Sequence, residues 1–324
     1  MPTWGNILGE IRSTLATNPA ALDEIRKKYI KELADYTGRN TIVYFAKWTT
    51  NDVPANLISV NDEDMQGFME AAYGLQGENL DLILHTGGGS GESTEAIVNY
   101  LRQKFSNIRV IVPQAAMSAG TMLACSADVI VMGKQSSLGP IDPQFIINTQ
   151  FGPQAFPAHS IMEQFKRAQD KILDNPKKIA SWMPTLQQCG PALLIRCENQ
   201  IQFGEELIKS WLTKYMFNGD AETASKIATH LSDHANFKTH GKHISVVEAE
   251  AIGLKVAKLE DDQILQDKVL SAYHAIMHTF GMTGACKIIA NQNGNSYVKL
   301  YNVNINVPQV LRPQTIPAPP QGIN

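Results

Sequence analysis

The chain has 324 residues, 44% of them hydrophobic, with a formal net charge of −3, enough for one large domain or two small ones around an ordinary core. No block of clustered Lys and Arg occurs, which excludes nucleic acid as a main partner and makes a polyanionic substrate implausible. No apolar run reaches the roughly eighteen residues of a membrane span, and residues 1–10 lack the basic and apolar regions of a signal peptide, so a soluble, cytoplasmic protein without a membrane anchor is expected.

Residues 5–35 carry Ile7, Leu8, Ile11 and Leu15, then Leu22, Ile25, Tyr29, Ile30 and Leu33, at helical spacing broken at Asn18 and Pro19. Two amphipathic helices are predicted, an N-terminal extension over 1–38 that packs on the following domain or on a neighbouring subunit. Residues 41–48 read as a first strand, and residues 61–65 open a helix through Tyr73 with acidic side chains at its positive end. A strand–turn–helix pattern then repeats. The apolar run 82–84 stops at His85-Thr86-Gly87-Gly88-Gly89-Ser90-Gly91, and 92–105 reads as a helix; the run 108–112 stops at Pro113, and Ser118-Ala119-Gly120 opens another apolar helix through Cys125. The fold class is therefore α/β, with parallel strands whose turns expose backbone N–H groups at one sheet edge. A hydroxyl between two such turns has a ready oxyanion hole, so Ser118 reads as a nucleophile.

Other readings of these segments exist. The glycine run also suits a plain strand-to-helix turn or a phosphate loop, but it lacks the Gly-Lys-Ser/Thr of a nucleotide-binding loop and the spacing of a dinucleotide fingerprint. Ser118 also suits a helix N-cap, a role compatible with that of a nucleophile. Its position near the positive end of the helix dipole helps developing negative charge, yet it needs a base to take its proton. Cys125, Cys189, Cys197 and Cys286 show no CxxC spacing and no histidine at metal-ligand distance, so they read as buried thiols, and neither metal nor cofactor is expected.

The region 155–273 looks mostly helical, with breaks at Gly190-Pro191 and Gly219-Asp220. Ser245 with Glu248 forms a capping box that ties the preceding loop, with His240 and His243, to a fixed helix start. Residues 281–307 suggest a hairpin around Asn293-Gly294, and 308–324, with five prolines, a flexible tail.

The succession of apolar strand, Gly-Gly turn, helix, apolar strand, Met117-Ser118-Ala119-Gly120, then Ala127-Asp128-Val129-Ile130-Val131-Met132 and Ser136-Ser137-Leu138-Gly139-Pro140-Ile141-Asp142-Pro143 resembles the Clp/crotonase-fold serine proteases. It is most similar to their serine dehydrogenase proteinase branch, with signal peptide peptidase A and the Clp peptidase subunit more distant. The similarity covers roughly residues 40–150. It implies a Clp/crotonase-like core of repeated ββα units over 39–150, and a helical layer over 151–280 that completes the core and makes contacts in a homo-oligomer. By the same resemblance the oxyanion donors are the amides of Gly88 and Ala119, Gly89 admits the substrate backbone, and His85 is a strand-end residue shaping the site. Gly87 stands where the family usually has proline, so a more flexible turn is expected.

The base is open among several residues. The Clp peptidase subunit places a histidine in the region matching 136–143, where this chain has none. Signal peptide peptidases use a lysine, in some members about fifty residues past the serine, which points to Lys166 or Lys171, on a helical stretch where they otherwise suit a solvated face. A Ser-Asp-His order is met by Ser118, Asp142 and His240 or His243, and this arrangement is favoured. Asp142, between Ile141 and Pro143, is expected to be partly desolvated and to need a partner. The expected activity is ATP-independent serine peptidase cleavage of peptides or unfolded proteins, membrane proteins among the conceivable substrates. The alternative is an inactive peptide-binding or assembly module on the same fold, and an acyl-thioester enzyme is disfavoured for want of a phosphate or adenine site.

Overall fold

The computed structural model describes residues 3–149 and 151–301. The Pro-rich stretch 308–324 and the end of the region assigned to a hairpin, 302–307, lie outside the described residues. In chain order the elements are α1 (Trp4–Leu15), α2 (Ala21–Thr37), β1 (Asn40–Ala46), α3 (Ala55–Ile58), α4 (Asp64–Ala72), β2 (Asn79–His85), α5 (Gly91–Lys104) and β3 (Asn107–Val112). Then follow β4 (Ala115–Ala116), α6 (Ala119–Cys125), β5 (Val129–Met132), β6 (Ser137–Leu138), β7 (Gln144–Thr149), β8 (Gly152–Pro157), α7 (Ala158–Asp174) and α8 (Ile179–Leu186). The rest is α9 (Leu193–Trp211), α10 (Ala221–Ser232), α11 (His234–Phe237), β9 (Ile244–Ser245), α12 (Val246–Ile252), β10 (Val256–Lys258), α13 (Gln263–Met282), β11 (Ala285–Asn291) and β12 (Ser296–Leu300).

A seven-stranded sheet in the order β10-β5-β3-β2-β1-β11-β12 forms the centre. It is parallel from β10 to β1, and β11 and β12 are antiparallel additions. Its inner strands carry buried apolar residues on both faces because both faces are covered. Ile42, Tyr44, Leu82, Leu84, Val110 and Val112 face one core with α4, α5, α6 and α10. Val43, Phe45, Ile83, Ile111 and Val131 face the other, built from α1, α2 and α13. The N-terminal helices thus pack on the sheet of their own chain.

Two stretches differ from the sequence-based expectation. The region read as mostly helical also carries strands: β8 pairs with β7, just before it, in a separate two-stranded hairpin, and β10 joins the edge of the central sheet beside β5. The apolar residues of β7, Phe145, Ile146 and Ile147, are consecutive rather than alternating, β8 is interrupted by two prolines, and β10 has three residues, so no period-two alternation registers. The hairpin of β11 and β12 turns at Gly294, at φ 92°, and β11 also pairs with β1, which makes it part of the central sheet. Among the described residues no helix is long and apolar enough to cross a membrane.

Candidate active site

The two glycine and serine turns are joined directly. Thr86 bridges to Ala116: its N–H donates to Ala115 O at 3.2 Å, and its carbonyl accepts from Met117 N–H at 2.9 Å. This pins the end of β2 to the segment carrying Ser118. A Cβ on Gly88 would stand 2.6 Å from Met117 O, 2.7 Å from Ser118 Cβ and 2.9 Å from Ala119 N, and Gly88 has φ 97°. Only glycine allows that approach and that conformation.

Ser118 occupies the N-cap position of α6 but makes no side-chain capping bond. Its backbone, at φ 52° and ψ −117°, lies in a region that disfavours side chains and costs about 1–3 kcal/mol. Held there, half-buried Ser118 lines a cleft of about 680 Å³. The Ala119 amide is in the first helical turn, where an N–H has no intrahelical acceptor. The Gly88 amide donates to Thr86 Oγ1 at 3.1 Å.

Asp142 is fully buried at its side chain. The turn that carries it is tied to α10 by Ile141 N–H donating to Leu231 O at 2.9 Å. Its Oδ1 lies 2.5 Å from His240 Nδ1, its Oδ2 2.9 Å from His234 Nδ1, and Gln144 Nε2 donates to Oδ2 at 3.2 Å. Three partners satisfy the carboxylate that burial would otherwise penalise. His240 is part-exposed and lines the same cleft as Ser118; among the described residues no hydrogen bond joins the two. The loop after it is anchored by the Ser245 and Glu248 capping box and by Lys242, 2.7 Å from Glu248. Lys242 first, then the Ser245 amide and hydroxyl, pull the Glu248 carboxyl down to about 2.

Several sequence candidates stand elsewhere. His243 is exposed, with Nδ1 2.7 Å from Ser137 Oγ, and does not line the cleft; it stands immediately before β9, which pairs with β6. Lys166 and Lys171 are exposed on α7, also away from the cleft, because the buried stripe of that helix is Ala158, Ile161 and Ala168. Gly89 lines the cleft, but a Cβ there would lie 2.3 Å from the Val60 backbone. Its missing side chain thus makes room for the protein's own chain at Val60. Gly87 is packed, with the Trp48 ring 3.2 Å from where a Cβ would be, so this turn is braced rather than loose.

His85 is fully buried among Phe45, Trp48 and Tyr273. Among the described residues neither ring nitrogen has a hydrogen-bond partner, and burial pushes its pKa down to about 4. Cys125, Cys197 and Cys286 are buried and Cys189 is half-buried; all four are free thiols. His234 escapes sequence reasoning because nothing local separates it from the other histidines; its position on Asp142 depends on where α10 ends.

The arrangement can carry acyl transfer: a strained serine, two amides beside it, and an imidazole whose Nδ1 is held by a buried carboxylate. A model of the ClpP-like SDH-type serine proteinase family matches residues 57–273. Two uncharacterized proteins of Methanocaldococcus jannaschii are similar. MJ1495 is 38% identical over 95 residues, 29% of this chain and 30% of that protein. MJ0137 is 34% identical over 179 residues, 55% of this chain and 53% of that protein. The chain thus spans about a third and about half the length of these two relatives. Among solved structures, a mutant of the 1510-N membrane-bound stomatin-specific protease is similar at a TM-score of 0.38 and 16% identity, covering 65% of this chain and 79% of that one.

Proposed function

This chain belongs to the ClpP-like SDH-type serine proteinase family, and from that premise we propose that it is an ATP-independent serine endopeptidase acting on peptides and unfolded proteins. The observation that carries the reading is the Asp142–His240 pair facing the cleft that Ser118 lines. With Nδ1 committed to Asp142, Nε2 is the nitrogen left to take the Ser118 proton as Oγ attacks a peptide carbonyl. The oxyanion is received by the Ala119 amide and by the Gly88 amide, which exchanges Thr86 Oγ1 for the substrate oxygen. His240 then protonates the leaving amine, and water repeats the sequence on the acyl-enzyme.

The cleft walls include Trp48, Ile58, Met122, Phe145 and Phe203, which suits apolar side chains of an extended segment. Ile146, Phe151 and Leu173 are each more than three-quarters exposed on the β7–β8 hairpin and α7, which supports assembly into a homo-oligomer. The cytoplasm is the proposed compartment.

A second reading, a peptide-binding module without turnover, is favoured by the engagement of the Gly88 amide with Thr86 and by the unbonded Ser118–His240 pair. A fluorophosphonate probe decides. Labelling of Ser118 in the wild type, lost with cleavage in Ser118→Ala at unchanged folding, supports the peptidase. A folded, assembled protein that is neither labelled nor active rejects it in favour of the binding module.

A further inference from the structure

Lys287 is wholly buried in β11, 2.6 Å from Asp64, whose side chain is 1% exposed. Taking two charges out of water is costly, and well-packed apolar residues would often serve stability as well or better. What the pair holds is therefore informative. Lys287 Nζ donates to Ser59 O at 2.8 Å, and Asp64 Oδ2 accepts from Asn61 N–H at 3.1 Å. Val60 is thus tied on both flanks to buried charges.

Val60 in turn grips the glycine turn. Its N–H donates to Gly88 O at 2.8 Å, and its carbonyl accepts from Ser90 N–H at 2.9 Å. Asp64 is braced from its other side by Tyr44, whose Oη donates to Oδ2 at 2.8 Å. Thr86 Oγ1 accepts the Gly88 N–H. One ion pair therefore reaches the carbonyl of Gly88 through Val60 and its two neighbours.

We propose that Lys287 and Asp64 are positioning residues for the Gly88 oxyanion donor, holding its turn against Ser118 through Val60. The catalytic part of this rests on the peptidase reading above; the mechanical part does not. Neither Lys287 nor Asp64 lines the cleft, which they reach only through the backbone that they hold, so their effect is expected on the transition state, where an oxyanion forms, more than on substrate binding.

The test compares wild type, Lys287→Met and the neutral double variant Lys287→Met/Asp64→Asn, the latter guarding against a fold lost to an unpaired buried carboxylate. Hydrogen exchange at Val60, Gly88 and Ser90 is read beside kcat and KM on a fluorogenic peptide. In the folded double variant these amides are expected to exchange at least about tenfold faster while those of β3 stay unchanged, with kcat down about 10- to 100-fold and KM within about twofold. Unchanged exchange overturns the proposal, and so does faster exchange at wild-type kcat. A wild type that neither cleaves nor is labelled at Ser118 sinks the peptidase reading instead, and the exchange comparison then still decides whether the pair holds the turn.

Discussion

Asp142 Oδ1 and His240 Nδ1 stand 2.5 Å apart across 98 residues of chain. The contact exists because α10 receives the Asp142 turn through Leu231 and then leads, by way of α11, into the loop bearing His240. A buried carboxylate on Nδ1 fixes the imidazole tautomer and orientation. Asp142→Asn is expected to lower kcat by about a thousandfold or more with the fold retained, since the imidazole loses the tautomer it needs. Steady-state kinetics beside a circular dichroism spectrum checks this; activity within tenfold of wild type would remove Asp142 from the mechanism.

The histidines should separate by their contacts. His234 holds the second oxygen of Asp142 and does not line the cleft, so His234→Asn is expected to cost roughly tenfold in kcat through a loosened carboxylate. His240→Ala should abolish turnover, whereas His243→Ala, Lys166→Ala and Lys171→Ala should stay within about twofold. A dead His243→Ala with active His240→Ala would reverse the assignment.

Strain at Ser118 makes a stability prediction. Ser118→Gly removes the Cβ that disfavours φ 52° and is expected to gain about 1 kcal/mol net, after the added freedom of the unfolded glycine is subtracted. Ser118→Ala keeps the Cβ and should show no such gain. Denaturant unfolding of the two variants measures the difference, and equal midpoints would show that the backbone there is not strained.

His85 sets an acid limit. Its pKa falls from 6.5 unfolded to about 4 folded, so between these values the unfolded chain binds a proton that the folded chain refuses. Stability from this group is therefore fully present above about pH 6.5 and is lost as pH falls towards 4, by an amount on the order of 3 kcal/mol. His85→Phe, which suits the surrounding rings of Phe45, Trp48 and Tyr273, should flatten the dependence of the unfolding midpoint on pH across that window. An unchanged slope would assign acid sensitivity to other groups.

Much of this molecule is legible in its sequence where a signal closes within a dozen residues. The repeat of strand, glycine turn and helix, Ser118 at a helix start, the Ser245 and Glu248 box and the Asn293-Gly294 turn are of that kind, because each is set by side-chain period, backbone freedom or a hydrogen bond three residues away. In β7, β8 and β10 no period-two alternation registers, because their apolar residues are consecutive, interrupted by proline or too few.

What only the tertiary structure decided is which distant groups meet. The contact of Asp142 with His240 and not His243, the second grip of His234 on Asp142, the seat of Gly89 against Val60 and the burial of Lys287 with Asp64 all join segments far apart in the chain. Local propensity carries no information about them. Their partners are fixed by where the two cores on either face of the sheet bring loop ends together, and by the cost of leaving a buried charge or amide without a partner.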